Sequence, residues 1–504
     1  MGRKEKWGVC TASSGEGNSM KLRSALRSAL AAASVFALSQ AAHAGDKHHR
    51  VPEPAPAKPN LVIFLADDLG RDVPPWGDGN ARTPNIIQLA KDGVSFDRAF
   101  VASPACAPSR AALLTGLMPA RNGAEANQQA PREDVRKLPA YLHDQGYEVV
   151  AFGKVSHYKQ TGMYGFDHYE HDNFHDPEGI PSAIRWLKAR KDKSKPLAIF
   201  VGSNWPHVPW PVTTEGYDPA ALKLPAKTID TPITRDARAR YYAAVSKLDQ
   251  ELGDTLAAVD STLGPDTFVL FSSDHGAQWP FGKWNLYDTG TRVPMIVRWR
   301  GHVLPNTRND AMVSWVDILP TLVDLAGGKA AADIDGRSFA DALRTTKVRF
   351  QGRSEIYTTH NNDGSVNVYP MRSVRTDRWK YIANLHPEYT YTTHIDLWVK
   401  RVDSGTSFPS WRRAAETDPA AKGIVERYYH RPAEELYNVK ADPEERHNLA
   451  TDSRYAAVLK DLRARLAAWR ADQKDDHPVA GKPHFEEGPI DGVPDPARKP
   501  GAGE

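Results

Sequence analysis

The chain has 504 residues, of which 40% are hydrophobic and 25% are charged, a composition typical of globular proteins. A chain of this length can bury a large core and form one large domain with a smaller one, or two to three domains. The 65 basic and 62 acidic residues nearly balance, with a formal net charge of +3, so we expect no nucleic-acid partner.

The first predicted element is a leader, residues 1–44, that includes a signal peptide. From residue 20 a short basic start and an apolar run lead to Ala-His-Ala at 42–44, the small-residue pattern before a secretory cleavage site. An amphipathic helix is the alternative interpretation, and translation of residues 1–19 is left open. We expect a soluble protein exported to the periplasm or cell exterior, with a Pro-rich linker at 45–59 and no membrane contact after cleavage.

The two cysteines of the chain lie on opposite sides of this cleavage site. Cys10 belongs to the leader, so the exported protein keeps Cys106 alone and cannot form an internal disulfide. Reactivity or burial remains as the reason for this cysteine.

The region 60–350 alternates short apolar runs with helical patterns. Continuous rather than alternating hydrophobicity is typical of strands that are buried on both faces, and the helical segments 83–93 and 238–259 supply the crossovers. The predicted fold class is α/β, with a large mixed, mostly parallel sheet sandwiched by helices. Its four clearest strands are 60–68, 147–154, 196–207 and 266–276.

Polar residues follow each of these four strands. In open α/β sheets, ligands bind beyond the carboxyl ends of the strands, so these residues are predicted to share one rim. The carboxylates among them would repel one another unless a hard cation, calcium or magnesium, lay between them. The residues are Asp67, Asp68, Lys154, His207, Asp274 and His275.

Residues 351–473 are predicted to form a smaller C-terminal α+β domain on an antiparallel sheet. A turn is expected at Thr376-Asp377 and is followed further along the chain by a helix. One face of that helix is apolar at spacings of three and four: Tyr455, Leu459, Leu462, Leu466 and Trp469. The tail 474–504 is too rich in Pro, Gly and charge to build a core, and it is expected to wrap the surface or be disordered.

The stretch "CAPSR" followed by "AALLTG", residues 106–116, resembles the signature of the formylglycine-dependent sulfatases, in the alkaline phosphatase superfamily. The motifs "FLADDLG", "GKVSH", "WPHVPW", "SSDHG" and "GKWN" are similar to further family motifs and occur in the same chain order. The whole chain looks most similar to the sulfamidase (heparan N-sulfatase) branch. "GKVSH" and "SSDHG" are more like iduronate-2-sulfatase. The resemblance implies the alkaline-phosphatase-like sulfatase fold.

The resemblance also implies a nucleophile. Cys106 would be converted by a formylglycine-generating enzyme to an aldehyde, whose hydrate attacks the sulfo group. A plain thiol would give a stable adduct, whereas a sulfated hydrate can expel sulfate. Arg110 is similar to the residue that holds this hydrate, and Ser109 belongs to the modification signal.

The other implied roles fall on residues of the predicted rim. Lys154 and Lys283 would contact the sulfo group, His157 would deprotonate the hydrate, and His207 would face the leaving atom as general acid. His360 aligns loosely with a substrate-pocket region. The implied metal ligands are Asp67, Asp68, Asp274, His275 and an oxygen of the modified Cys106.

The expected function is calcium-dependent sulfate release from a sulfated sugar, with N-sulfoglucosamine preferred. An O-sulfatase acting on uronate, hexosamine or aryl sulfates is the nearest alternative. A phosphonate or phosphate ester hydrolase and a non-catalytic sulfated-glycan binding protein are more distant ones. The sequence leaves open whether the protein is a monomer or a homodimer.

Overall fold

The computed structural model describes residues 58–344, 352–364, 367–397 and 403–476. The predicted leader, most of the linker, the predicted boundary at 350 and the tail beyond 476 lie outside the described residues. The domain boundaries therefore stay a prediction. No helix among the described residues is both long enough and apolar enough to cross a bilayer.

A nine-stranded sheet forms the centre of the structure. Its strand order is β4-β3-β5-β1-β6-β8-β2-β7, and β9 pairs in parallel with β2. The β4-β3-β5-β1-β6 run is parallel, whereas β8 and β7 pair antiparallel with their neighbours, so the predicted mixed, mostly parallel sheet is confirmed. The strands are β1 Leu61–Ala66, β2 Val94–Phe100, β3 Glu148–Gly153, β4 His168–Glu170, β5 Leu197–Gly202, β6 Phe268–Ser273, β7 Arg292–Val293, β8 Met295–Arg298 and β9 Thr307–Ser314.

The continuous hydrophobicity of the central strands has a simple cause. In β1, Val62 and Phe64 point into one core cluster and Ile63 and Leu65 into the other, and all four are fully buried. Helices cover both faces of the sheet. The α-helices are α1 Pro84–Asp92, α2 Cys106–Thr115, α3 Pro119–Asn122, α4 Leu138–His143, α5 Gly179–Ala189, α6 Pro232–Thr262, α7 Asp288–Thr291, α8 Ile318–Leu325, α9 Ala340–Arg344, α10 His394–Leu397, α11 Phe408–Ala415, α12 Pro419–Tyr429 and α13 Ala456–Gln473.

A second, four-stranded sheet lies in the C-terminal part of the chain and is antiparallel throughout, as predicted. One of its faces packs on α13, which buries three of the predicted apolar residues, Leu459, Leu462 and Leu466. Its other face packs against Trp284 and Tyr287 of the main sheet's loops. The strands are β10 Ile356–His360, β11 Met371–Arg375, β12 Trp379–Asn384 and β13 Glu434–Asn438.

One residue of the predicted tail, Asp475, packs against this second sheet. Asp475 is buried, and its carboxylate binds Arg372 of β11 with an Nη2–Oδ1 distance of 2.6 Å. The composition of the tail could not predict this contact, because the contact depends on a single ion pair with a distant residue. The second sheet and α13 are thus tied to the chain beyond the helix.

Candidate active site

Cys106 is the first residue of α2, and its thiol is 1% exposed. Three groups approach the sulfur: His275 Nε2 at 3.3 Å, Lys154 Nζ at 3.6 Å and Asp67 Oδ1 at 3.8 Å. Burial raises the pKa of the Cys106 thiol. An unmodified cysteine here is therefore a neutral thiol at physiological pH, which is a poor nucleophile.

Five predicted metal ligands meet at this point. Asp67 and Asp68 follow β1, Asp274 and His275 follow the adjacent β6, and Cys106 opens α2. One ligand atom from each lies within 4.8 Å of all the others, and all five residues are buried. The Asp68 backbone has a positive φ of 63°, and its N–H donates to Asp274 Oδ1 at 3.1 Å, which holds the two carboxylates together.

The tautomer of His275 indicates that the five candidate ligands could bind a cation. His275 Nδ1 lies 3.0 Å from the Gly276 carbonyl oxygen, which can only accept a hydrogen bond. In neutral His275, the lone pair is therefore on Nε2, which lies 3.4 Å from Asp68 Oδ1 and 3.5 Å from Asp274 Oδ2. This lone pair, placed among carboxylates and 3.3 Å from the Cys106 sulfur, is suited to bind a cation between them.

Three buried basic side chains surround the carboxylates. Lys154 Nζ lies 2.5 Å from Asp67 Oδ2, and Lys283 Nζ lies 2.9 Å from both oxygens of Asp68. Burial alone would raise the pKa of Asp67, but the positive charges of Lys154 and Arg110 hold it well below its usual value. Burial outweighs Lys283 at Asp68 and raises the pKa of that carboxyl group.

Arg110 contacts the carboxylates rather than the sulfur. Its Nε donates to Asp274 Oδ2 at 3.0 Å and its Nη2 to Asp67 Oδ1 at 3.2 Å, while Nη1 donates to the Lys154 carbonyl. The implied role of Arg110 was to hold the hydrate on residue 106. That role stays a prediction, and the observed contacts of Arg110 link three strand ends, because its planar guanidinium can serve several acceptors at once.

Two glycines let Lys154 approach the neighbouring strand. Gly153 has a φ of +68°, and a Cβ there would lie 2.2 Å from the Gly202 carbonyl oxygen. A Cβ on Gly202 would lie 2.1 Å from the Lys154 carbonyl carbon. Only glycine at both positions permits this close packing, which places the Lys154 side chain over Asp67.

The predicted base, His157, is buried, and the predicted acid, His207, is partly buried with 12% of its side chain exposed. His157 Nε2 lies 2.8 Å from Gln128 Oε1, and burial lowers the pKa of His157 to about 3. His207 Nδ1 donates to the Val208 carbonyl at 2.6 Å, so the Nε2 of neutral His207 has a free lone pair, 3.8 Å from Asp68 Oδ2. Burial, Lys283 and Lys154 lower the His207 pKa well below its usual value. An acid role for His207 requires that Nε2 first gain a proton.

His360 is buried at the end of β10, and its Nε2 has no hydrogen-bond partner among the described residues. The substrate role of His360 stays a prediction, and its neighbour Asp363, which sequence reasoning missed, is linked through Asn127 to the segment that follows Cys106. The Asp363 carboxylate accepts from Asn127 Nδ2 at 2.9 Å and from Trp284 Nε1 at 3.1 Å. Asn127 Oδ1 in turn accepts from the Ala107 N–H at 2.9 Å, directly after Cys106.

Two further residues that were not predicted from the sequence, Asn285 and Arg431, hold the loop that contains Lys283. Asn285 donates through Nδ2 to the Tyr391 hydroxyl at 2.7 Å and to the Lys283 carbonyl at 3.3 Å. Its Oδ1 accepts from Arg431, whose guanidinium lies 3.9 Å from the Tyr391 ring centroid. Asn285 belongs to the "GKWN" motif, but nothing in the sequence predicts that it binds Arg431.

A cavity of about 980 Å³ lies at the opposite end of α2. Its lining includes Thr115, Leu117 and Arg121 and none of the predicted site residues. The candidate site is thus defined by its buried charges and not by this cavity.

Comparison with known proteins assigns the family. The family model described as Sulfatase matches residues 59–328, and the model described as N-sulphoglucosamine sulphohydrolase, C-terminal, matches residues 275–399. An ulvan-active sulfatase of Formosa agariphila is 31% identical over 435 residues, covering 83% of this chain and 81% of the relative. Human N-sulphoglucosamine sulphohydrolase is 29% identical over 472 residues, covering 82% of this chain and 90% of the relative.

The fold is also similar to that of solved structures. A protein solved in complex with its substrate D-glucosamine-2-N,6-O-disulfate superposes with a TM-score of 0.63 at 19% identity, covering 84% of this chain and all of the other. This likeness confirms the predicted fold class. With a family model that spans more than half of its length, the chain belongs to the sulfatase family.

Proposed function

We propose that this sulfatase releases inorganic sulfate from a sulfated sugar and that the N-sulfo group of glucosamine is its preferred substrate. The observation that carries the sugar assignment is the C-terminal match, residues 275–399. That segment contains Lys283 and Asp363, both of which lie beside the Cys106 cluster. The human relative that bears the same description is an N-sulphoglucosamine sulphohydrolase.

Two groups complete the proposed site. Formylglycine, made from Cys106 by a converting enzyme, supplies a hydrated aldehyde as nucleophile. A divalent cation, with calcium preferred and magnesium the alternative, would be held by Asp67, Asp68, Asp274 and His275 and would supply Lewis-acid stabilisation of the sulfo oxygens.

The chain's own side chains bind the sulfo group and move the protons. Lys154 and Lys283 each donate to a carboxylate of the cluster, Asp67 and Asp68 respectively, and their fixed positive charges would attract the sulfo oxygens. Arg110 keeps Asp67 and Asp274 in place. In neutral His157 the Nε2–H donates to Gln128 Oε1, which leaves the unpartnered Nδ1 as the atom that would accept a proton from the nucleophile.

A second candidate function is hydrolysis of a sulfate ester in a polysaccharide. The 31% identity to an ulvan-active sulfatase favours it. The nucleophile, the cation site and the lysines would be the same, since N- and O-sulfo groups present the same oxygens and differ in the leaving atom. Export to the periplasm or cell exterior stays part of the proposal.

The test is a substrate panel with protein in which mass spectrometry has confirmed formylglycine at position 106. The panel holds N-sulfoglucosamine, glucosamine 6-O-sulfate, a uronate 2-O-sulfate, an aryl sulfate and a phosphonate monoester, each with calcium or magnesium. The expected result is the highest kcat/KM on N-sulfoglucosamine with calcium, and Cys106→Ala is the control. Turnover of sulfate esters alone would favour the second candidate, and no sulfate release from any substrate would overturn both.

A further inference from the structure

Tyr158 lies beside Lys154, and the proposed reaction assigns it no role. Its phenol oxygen is 2.7 Å from Lys154 Nζ, and the same ammonium lies 4.2 Å from the Tyr158 ring centroid. The side chain is half-buried, unlike the fully buried residues of the cluster. Tyr158 therefore lies on the solvent side of Lys154.

The hydrogen bonds of Lys154 determine where the Tyr158 proton can go. Lys154 has three N–H donors and three neighbours: Asp67 Oδ2 at 2.5 Å, Cys106 Sγ at 3.6 Å and the Tyr158 oxygen at 2.7 Å. An ammonium can only donate, so Tyr158 accepts this bond. Its own O–H must point away from Lys154, and no described residue accepts it.

The ring of Tyr158 is also held in place. It lies 4.5 Å from the His157 ring and meets Phe174 edge-to-face at 5.3 Å. Phe174 in turn meets His207 edge-to-face at 5.5 Å. Tyr158 and the half-buried Phe174 thus form an aromatic wall between Lys154 and His207, the residues predicted to contact the sulfo group and to face the leaving atom.

We propose that Tyr158 is a substrate-binding residue whose O–H donates to a sulfo oxygen while its oxygen accepts from Lys154. The bond to Lys154 fixes the direction of the phenol, so the free O–H points to where the sulfo group that contacts Lys154 would lie. This inference rests on the proposed function. Burial raises the pKa of the Tyr158 hydroxyl well above its usual value, which keeps the donor protonated at neutral pH.

The test is Tyr158→Phe, which removes only the hydroxyl, in full-length protein with formylglycine confirmed at 106. One lost hydrogen bond to a charged group corresponds to about a tenfold to hundredfold effect. We expect a fall of that size in kcat/KM on the best sulfated substrate of the wild type. Inhibition by inorganic sulfate should weaken in the same direction, because sulfate presents the same oxygens without a leaving group.

Tyr147→Phe is the matched control, because this buried tyrosine lies before the start of β3 and its hydroxyl donates to the Pro59 carbonyl at 2.8 Å. It should leave kcat/KM and the sulfate inhibition constant unchanged. A merely structural role of the Tyr158 hydroxyl would lower the melting temperature and leave sulfate inhibition at the wild-type value, and that result would overturn the inference. Failure of the wild type to release sulfate would count against the proposed function instead.

Discussion

At the edge of the large sheet, Lys154 and Lys283 contact the carboxylates of Asp67 and Asp68 directly. The second sheet and its loops reach the same site only through intermediate side chains, as Arg431 does through Asn285. In the proposed reaction the first region would supply the chemically active groups, and the second would hold the loops on which they depend. Changes in the first region should abolish activity, whereas changes in the second should reduce it by degrees.

The largest effect is expected at the nucleophile. Cys106→Ala removes the residue proposed to become formylglycine, so sulfate release should fall by about 10⁴-fold or more. The measurement is the initial rate of sulfate release beside the wild type, with the melting temperature as the check on folding. Activity within tenfold of the wild type in a folded variant would place the nucleophile elsewhere.

The next effect is expected at Asp274, a carboxylate that binds Arg110 and is a proposed ligand of the cation. Asp274→Asn removes a ligand charge, and the loss of cation affinity should exceed the roughly 10- to 100-fold that an outer partner contributes. Arg110 would also lose half of its buried counter-charge, at a cost of about 3 kcal/mol in the free energy of unfolding. Calcium titration by calorimetry and denaturant unfolding measure these two quantities.

The matched control for that variant is Asp260→Asn. Asp260 also pairs with an arginine, Arg298, at 2.6 Å, but its side chain is 32% exposed and far from Cys106 in the fold. We expect unchanged cation affinity in this control. Equal cation affinity in Asp274→Asn and the wild type would remove Asp274 from the ligand set.

A moderate effect is expected in the second region. Arg431→Lys keeps the charge but loses the planar fork that binds Asn285, so the Lys283 loop should loosen and kcat should fall about tenfold. Cation affinity should stay the same, since Arg431 contacts no ligand. The control is Arg463→Lys, a half-exposed arginine paired with Glu434 of β13, for which we expect no change in kcat. If Arg431→Lys has the same kcat as the wild type, Arg431 does not support the Lys283 loop in the way we propose.

The smallest effect concerns pH and stability alone. Burial lowers the pKa of His360 to about 4, below the ordinary value near 6.5, so the unfolded chain binds more protons between these values. The native state of the wild type should therefore lose about 2 kcal/mol from this group as the pH falls from 7 to 5. His360→Gln, which cannot protonate, should show a shallower loss in denaturant titrations at the two pH values. An equal pH dependence in both proteins would contradict the shift.

Much of the fold was predictable because the central strands are buried on both faces. Runs such as Leu61–Ala66 are continuously apolar, and the charged residues that follow them had to meet at one edge. The cluster of Asp67, Asp68, Asp274 and His275 confirms that geometric argument, although the role of each residue remains a proposal. Cys106 and Arg110 were found through the family signature and not from periodicity.

The rest depended on contacts between distant parts of the chain. Asn127 and Asp363 are 236 residues apart, and neither has a local pattern that predicts its partner. Tyr158 directly follows the "GKVSH" motif, so its position was a usable signal, but its bond to Lys154 required the turn after β3. The partner of His157, Gln128, likewise comes from a separate loop.

The burial of Cys106 has a consequence for the timing of maturation. The thiol is 1% exposed, and Ser109 and Arg110 of the modification signal are fully buried on the same helix. A converting enzyme could not reach this segment once α2 has packed. Conversion would therefore have to occur on the nascent or unfolded polypeptide, and a chain that folds first would be trapped as inactive thiol protein. The fraction of active protein in a preparation would then depend on the rate of modification relative to the rate of folding.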